Sequence, residues 1–252
     1  MLEVSGITRR FGGHTAVDAV SFRVARGSIT GLIGPNGAGK TTMFNLIAGS
    51  LRPSAGRILL EGRRLDGEPP HRVLQRGVGR TFQVPRPFPE LTVLENAMLA
   101  GQRQRGERFW QNWVRPGAVA AEERDLRERA RELLDFVGLW PLAGQPARVL
   151  SGGQRKLLEL ARALVAEPRL VLLDEPAAGV SPGLLESLVA RIAELHRRGT
   201  TFLIIEHNLD VVMELCRPIM VMASGRLLLE GDAATVQRDP RVIEAYLGGA
   251  RP

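Results

Sequence analysis

Residues Gly34, Pro35, Asn36, Gly37, Ala38, Gly39, Lys40, Thr41 and Thr42 form one unbroken run that constrains this chain more than any other segment. Before it, residues 27–33 (Gly-Ser-Ile-Thr-Gly-Leu-Ile) read as a short buried strand; after it, residues 43–48 (Met-Phe-Asn-Leu-Ile-Ala) carry apolar side chains at helical spacing. Strand, glycine-rich turn and helix therefore come in the order that a phosphate-cradling loop requires. The glycines let the backbone turn tightly with successive amides pointing inward, and the following helix adds its positive end. Lys40 can reach β- and γ-phosphates as a mobile point charge, the Thr41 hydroxyl is placed to coordinate magnesium, and Thr42 adds a phosphate hydrogen bond. The predicted ligands are ATP and Mg2+, with the whole run from Gly34 to Thr42 as the binding segment.

Length and composition bound the rest. With 252 residues, 44% of them hydrophobic, the chain can bury a sizeable core as one large α/β domain or as a core with a helical insert. The longest apolar stretches, such as 170–173 and 202–205, are strand-sized and too short to span a bilayer. Glu3, Arg9 and Arg10 interrupt the only candidate leader, so a cytosolic protein is expected. Cys216 is the single cysteine, which excludes an internal disulfide and a thiolate metal cluster. His14, His71, His196 and His207 show no metal-ligand spacing, and zinc is not expected.

The net charge of +7 suggests an acidic partner, but nucleic acid, anionic lipid and ATP would all suit it. Arg103, Arg105, Arg108 and Arg115 share a stretch with Phe109, Trp110 and Trp113. That mixture could lie near a membrane surface, stack on bases, or form a solvated loop with its aromatics tucked in.

A phosphate loop that supports hydrolysis needs carboxylates. Residues 170–173 form a continuous apolar run ending in Asp174 and Glu175, as expected of a central parallel strand delivering both at its C-terminal edge. Asp174 would hold magnesium, directly or through water, and Glu175 would orient or deprotonate the attacking water. Between these regions, Ser151, Gly152, Gly153 and Gln154 precede a segment of helical periodicity, so Ser151 reads as an N-cap and the glycines as a second anion nest.

The phosphate loop, Gln83, the segment from Leu150 to Gln154, Asp174 with Glu175, and His207 occur in the order and approximate spacing of the nucleotide-binding subunits of ABC transporters, which the chain resembles over nearly its whole length. The resemblance implies a head-to-tail dimer in which each ATP lies between one phosphate loop and the Ser-Gly-Gly-Gln segment of the other subunit. It further implies that Phe11 stacks on adenine, that Gln83 touches magnesium and the attacking water, and that His207 contacts the γ-phosphate. Catalytic roles thus fall on Glu175, His207 and Gln83, and metal roles on Thr41, Gln83 and Asp174.

A narrower resemblance rests on residues 80–83 (Arg-Thr-Phe-Gln), 91–96 (Leu-Thr-Val-Leu-Glu-Asn), 175–179 (Glu-Pro-Ala-Ala-Gly) and 244–248 (Glu-Ala-Tyr-Leu-Gly). These are similar to the ATP-binding subunit of branched-chain amino-acid importers, with related subunits serving urea uptake and lipopolysaccharide export. Ser181 departs from the aspartate or asparagine common at that position. The resemblance implies permease subunits as partners, a paralogous second ATP-binding subunit (or a homodimer in isolation), an external solute-binding protein acting indirectly, and a peripheral location on the cytoplasmic membrane face. Nucleic acid is not expected, because neither a second nucleotide domain nor a long coiled-coil insertion is visible.

The predicted fold is a P-loop NTPase core of ABC type, α/β, with a β-rich nucleotide-binding part and a helical subdomain. It is expected as a single ABC ATPase domain over residues 1–252. Residues 1–85 and 161–252 would make the α/β core; residues 86–160 would make the helical subdomain, with an insert at about 102–121. Helices are expected over 122–137 and 184–196, a strand over 58–62, and a short C-terminal helix starting at Asp239 and Pro240.

Overall fold

The computed structural model describes residues 1–81, 85–102 and 116–248. The chain opens with β1 (Leu2–Phe11), β2 (His14–Val24), β3 (Ile29–Ile33), α1 (Lys40–Ile47), β4 (Ala55–Leu60), β5 (Arg63–Arg64), α2 (Pro70–Gln75) and β6 (Val78–Arg80). Among the described residues, the α-helices that follow are α3 (Val93–Met98), α4 (Pro116–Phe136) and α5 (Gly152–Val165). The remainder holds β7 (Leu170–Asp174), α6 (Pro182–Arg197), β8 (Thr201–Ile205), α7 (Leu209–Leu215), β9 (Ile219–Ala223), β10 (Arg226–Gly231), α8 (Ala233–Arg238) and α9 (Pro240–Gly248).

One compact unit comprises residues 1–80, 169–178 and those from 192 on. Its larger sheet has the order β10-β9-β3-β8-β7-β6, parallel from β9 to β6, with β10 antiparallel at one edge. Every residue of β3, β7 and β8 is buried, which is why these strands read as continuous apolar runs rather than as alternation. The second sheet, β2-β1-β4-β5, is antiparallel and places Leu2, Val4, Ile7, Phe22, Val24 and Ile58 inside. Both sheets share one core with α1, whose Met43, Phe44 and Ile47 are fully buried; each such side chain contributes about 1.5–3 kcal/mol. That packing fixes the helix behind the loop at 34–39.

Parallel register then decides what meets at the sheet edge. Asp174 at the end of β7 lies opposite Ile205 at the end of β8, and Leu32 of β3 lies beside Ile205 on one side and Met220 on the other. The residues following β3, β7 and β8 therefore emerge along one carboxyl edge, where open α/β sheets hold ligands.

The other unit comprises residues 81–168 and 179–191 and is mainly helical among its described residues. Here α3, α4 and α5 pack on one another, burying Val93, Ala97, Ala130, Leu134, Leu158 and Ala161. Asn96, wholly buried on α3, accepts from Phe88 N at 2.8 Å and donates to the carbonyls of Phe88, Leu91 and Thr92 at 3.0–3.1 Å. A buried amide satisfied in this way pins the chain entering α3. The expected boundaries differ most at two places: α4 is already helical at Pro116 rather than from 122, and β4 runs over Ala55–Leu60 rather than 58–62, ending there because Glu61 and Gly62 (φ 50° and 76°) make the left-handed pair of a tight hairpin. Among the described residues, no helix is long and apolar enough to cross a membrane.

Candidate functional site

The loop from Gly34 to Gly39 leaves β3 and enters α1 at Lys40. Gly34 has φ +149°, and a Cβ there would sit 2.0 Å from the Met222 carbonyl oxygen, so only glycine fits against β9. Gly39 is the N-cap of α1, in the left-handed conformation and with no side chain capping the helix. The first-turn amides thus face the cradle rather than a capping oxygen, and a helix N-terminus in that state favours anions. The turn after β9 braces the loop: Gly225 N donates to Ala38 O at 3.1 Å. From the C-terminal end, α9 contributes Tyr246, a half-buried phenol whose pKa burial raises, with the Gly34 backbone acting in the opposite direction.

Lys40 is almost fully buried, and its ammonium donates to the carbonyls of Gly34 at 2.6 Å and Pro35 at 3.0 Å. Burial lowers its pKa, partly opposed by the negative charges of Glu175 and Asp174. Those carboxylates therefore act on the lysine across the same space. A cation curled onto its own loop, with glycine cradle and helix amides around it, fits a polyphosphate. The Thr41 hydroxyl at the start of α1 and the Asp174 carboxylate are hard oxygen donors of the kind Mg2+ takes together with phosphate oxygens.

Opposite the loop, β7 ends at Asp174 and the next residue, Glu175, adopts φ +49°. A non-glycine residue there carries local strain, and it persists because Glu175 N donates to Ile205 O at 2.9 Å. The turn aims the Glu175 carboxylate at His207, whose Nε2 lies 2.9 Å from Oε1. Glu206 holds the two segments together: its buried carboxylate accepts from the backbone amides of Ala177 at 2.5 Å, His207 at 3.0 Å and Asn208 at 3.2 Å. Asp174, 3% exposed at its side chain, pairs with Arg80 at 3.1 Å, and the same guanidinium donates to Asn45 Oδ1 on α1 at 2.7 Å.

Phe11 ends β1 as an exposed residue (43%), and the Arg9 guanidinium stands 4.6 Å from its ring centroid. The first compact unit thus brings together the phosphate loop, Asp174, Glu175 and His207. Ser151, Gly152, Gly153 and Gln154 belong to the other unit, where Ser151 caps α5 in a reciprocal box: Ser151 Oγ accepts from Gln154 N at 3.2 Å, and Gln154 Oε1 accepts from Ser151 N at 2.9 Å. Ser151 and Gly152 are exposed. Gln83 lies outside the described residues, as do Phe109, Trp110 and Trp113 of the arginine-rich stretch.

Three residues escape the sequence reading. Glu206 gives only the signal of a carboxylate directly after a buried strand, and Arg80 and Asn45 give none as a pair because they lie 35 positions apart.

Comparison with known proteins places this geometry in context. A family profile described as ABC transporter matches residues 17–178, and another described as branched-chain amino acid ATP-binding cassette transporter matches residues 226–251. The chain is 41% identical over 251 residues, 99% of its own length and 98% of the relative's, to the high-affinity branched-chain amino acid transport ATP-binding protein BraF of Pseudomonas aeruginosa. It is also 41% identical over 248 residues, 98% of this chain and 95% of the relative, to the probable branched-chain amino acid transport ATP-binding protein LivG of Archaeoglobus fulgidus. Among solved structures, a nucleotide-free ATP-binding cassette from an ABC transporter superposes with TM-score 0.84 at 37% identity, covering 97% of this chain and 98% of that one. A dimeric post-hydrolysis state of the cassette MJ0796, bound to ADP and phosphate, superposes with TM-score 0.76 at 25% identity, covering 92% of this chain and 99% of that one.

Proposed function

The chain belongs to the ABC transporter family of ATP-binding subunits, which couple ATP hydrolysis to membrane transport, and we propose that the transporter it drives imports branched-chain amino acids. The observation that carries the catalytic part is the convergence of Lys40, Asp174, Glu175 and His207 at one sheet edge. The solute class is supported by the C-terminal match over 226–251 and by the relatives' names.

In this reading Lys40 leaves the Gly34 and Pro35 carbonyls for the β- and γ-phosphate oxygens, while the loop amides and the first turn of α1 take the remaining oxygens. Preorganised donors of this kind need no rearrangement as charge develops on the transferring group. Phe11 supplies a flat face for adenine. Thr41, Asp174 and Gln83 hold magnesium, which when bound neutralises charge on the phosphate oxygens. Glu175 orients the attacking water and accepts its proton, and His207 turns from Glu175 to the γ-phosphate. Ser151, Gly152, Gly153 and Gln154 serve the nucleotide of the opposite subunit, their exposed cap forming the second anion nest.

Residues 1–85 and 161–252 act as the α/β core of a single ABC ATPase domain, and 86–160 as its helical subdomain. The working assembly pairs this subunit with a paralogous ATP-binding subunit beneath the permease subunits, at the cytoplasmic membrane face, with an external binding protein delivering solute. Reconstitution with those partners in liposomes tests the proposal. ATP-dependent uptake of leucine, isoleucine or valine is expected; uptake of urea without any of these would refute the solute class.

A further inference from the structure

We infer that Arg80 is a positioning residue for the magnesium carboxylate, holding Asp174 against α1 through a bridge to Asn45. The inference rests on the assignment of Asp174 to magnesium made above. Arg80 ends β6 and pairs in register with Leu172 of β7, so its side chain runs forward to Asp174, two residues further along the neighbouring strand. One guanidinium arm donates to Asp174 Oδ2 at 3.1 Å, and the other donates to Asn45 Oδ1 at 2.7 Å. Side-chain exposure is 12% for Arg80 and 3% for Asp174, so the pair is shielded from water.

The geometry does two things that a simple ion pair does not. Asn45 lies on α1, the helix that starts at Lys40 and Thr41, so the bridge ties the magnesium carboxylate of β7 to the same rigid element that carries the threonine hydroxyl. The distance between the two oxygen donors is thereby set by one planar group. Arg80 also supplies a fixed positive charge beside Asp174, which stands next to a second carboxylate, Glu175. The hydrogen-bonded guanidinium fixes which way the Asp174 carboxylate faces. A lysine would keep the charge but could not span both partners in a fixed plane.

The test compares wild type, Arg80→Lys and Asn45→Ala by binding of a fluorescent ATP analogue, in EDTA and then in rising Mg2+. Outer-shell partners of metal ligands typically change metal affinity roughly ten- to a hundredfold. Arg80→Lys is expected to leave binding in EDTA within about twofold of wild type while raising the Mg2+ concentration for half-maximal enhancement by roughly tenfold or more. Asn45→Ala, which keeps the ion pair and removes only the tie to α1, should shift it in the same direction by less. Unchanged Mg2+ midpoints in both variants, or equal losses in EDTA and Mg2+, would mark a merely structural ion pair and overturn the inference. If wild type gains nothing from Mg2+, the metal assignment of Asp174 falls as well, which separates the two failures.

Discussion

Gly34→Ala tests whether the phosphate loop is held against β9 as tightly as the backbone indicates. The new Cβ would lie 2.0 Å from Met222 O, and a tolerable contact exceeds 3.0 Å, so either the loop or the strand must yield by about 1 Å. Overpacking of this kind costs about 1–3 kcal/mol. The backbone at φ +149° adds about 1–3 kcal/mol for a residue with a side chain. The sum is roughly 2–6 kcal/mol, and at about 2–4 °C per kcal/mol for a domain of this size the melting temperature should fall by roughly 4–24 °C. Gly37→Ala is the internal control: its φ is +79°, but a Cβ there meets nothing within 4 Å, so only the left-handed backbone cost of about 1–2 kcal/mol applies. Thermal unfolding without nucleotide, followed by tryptophan fluorescence, should rank wild type above Gly37→Ala above Gly34→Ala. Equal melting points for the two variants would refute the close approach of the loop to Met222.

Further outcomes follow from other parts of the molecule. Lys40→Ala should reduce ATP turnover by roughly 10²-fold or more, as loss of one preorganised donor to developing charge does, with the melting temperature of the nucleotide-free protein little lowered; phosphate release and thermal unfolding check both halves. Cys216 is 1% exposed, and burial, reinforced by the charge of Glu206, pushes its thiol up to about 12. A disulfide reagent at pH 8 should therefore find no reactive thiol in the native protein and one in denaturant. Because the folded protein keeps this proton while an unfolded thiol loses it near its ordinary value of 9.0, stability is unaffected below pH 9 and declines as pH rises toward 12, which urea unfolding at stepped pH would show.

How far the molecule could be read in advance depends on whether its information is local. The loop from Gly34 to Thr42, the buried runs of β7 and β8, and the Ser151 cap were legible because each is written in consecutive residues: glycine spacing, uninterrupted apolar stretches, and a serine three places before a glutamine. The reach of α4 is underestimated by the sequence because apolar periodicity sets in only at Leu126, while the described helix already includes Pro116. What stayed hidden depends on register between strands distant in sequence. Glu206 can gather the amides of Ala177 and Asn208 only because β7 and β8 run side by side in parallel, and Arg80 finds Asp174 only because β6 joins the same sheet. The curled pose of Lys40 is likewise invisible in sequence, since the same spacing specifies the phosphates it awaits, not the carbonyls it uses meanwhile.

The most direct test of the account is phosphate release by the purified chain over a wide range of protein concentration, with Glu175→Gln in ATP measured for size alongside it. Turnover per subunit that rises with concentration, together with an ATP-dependent dimer of the Glu175→Gln variant, is the predicted result. Turnover that is independent of concentration, or a Glu175→Gln variant that hydrolyses ATP at the wild-type rate, would contradict a site completed across two subunits with Glu175 acting on the attacking water.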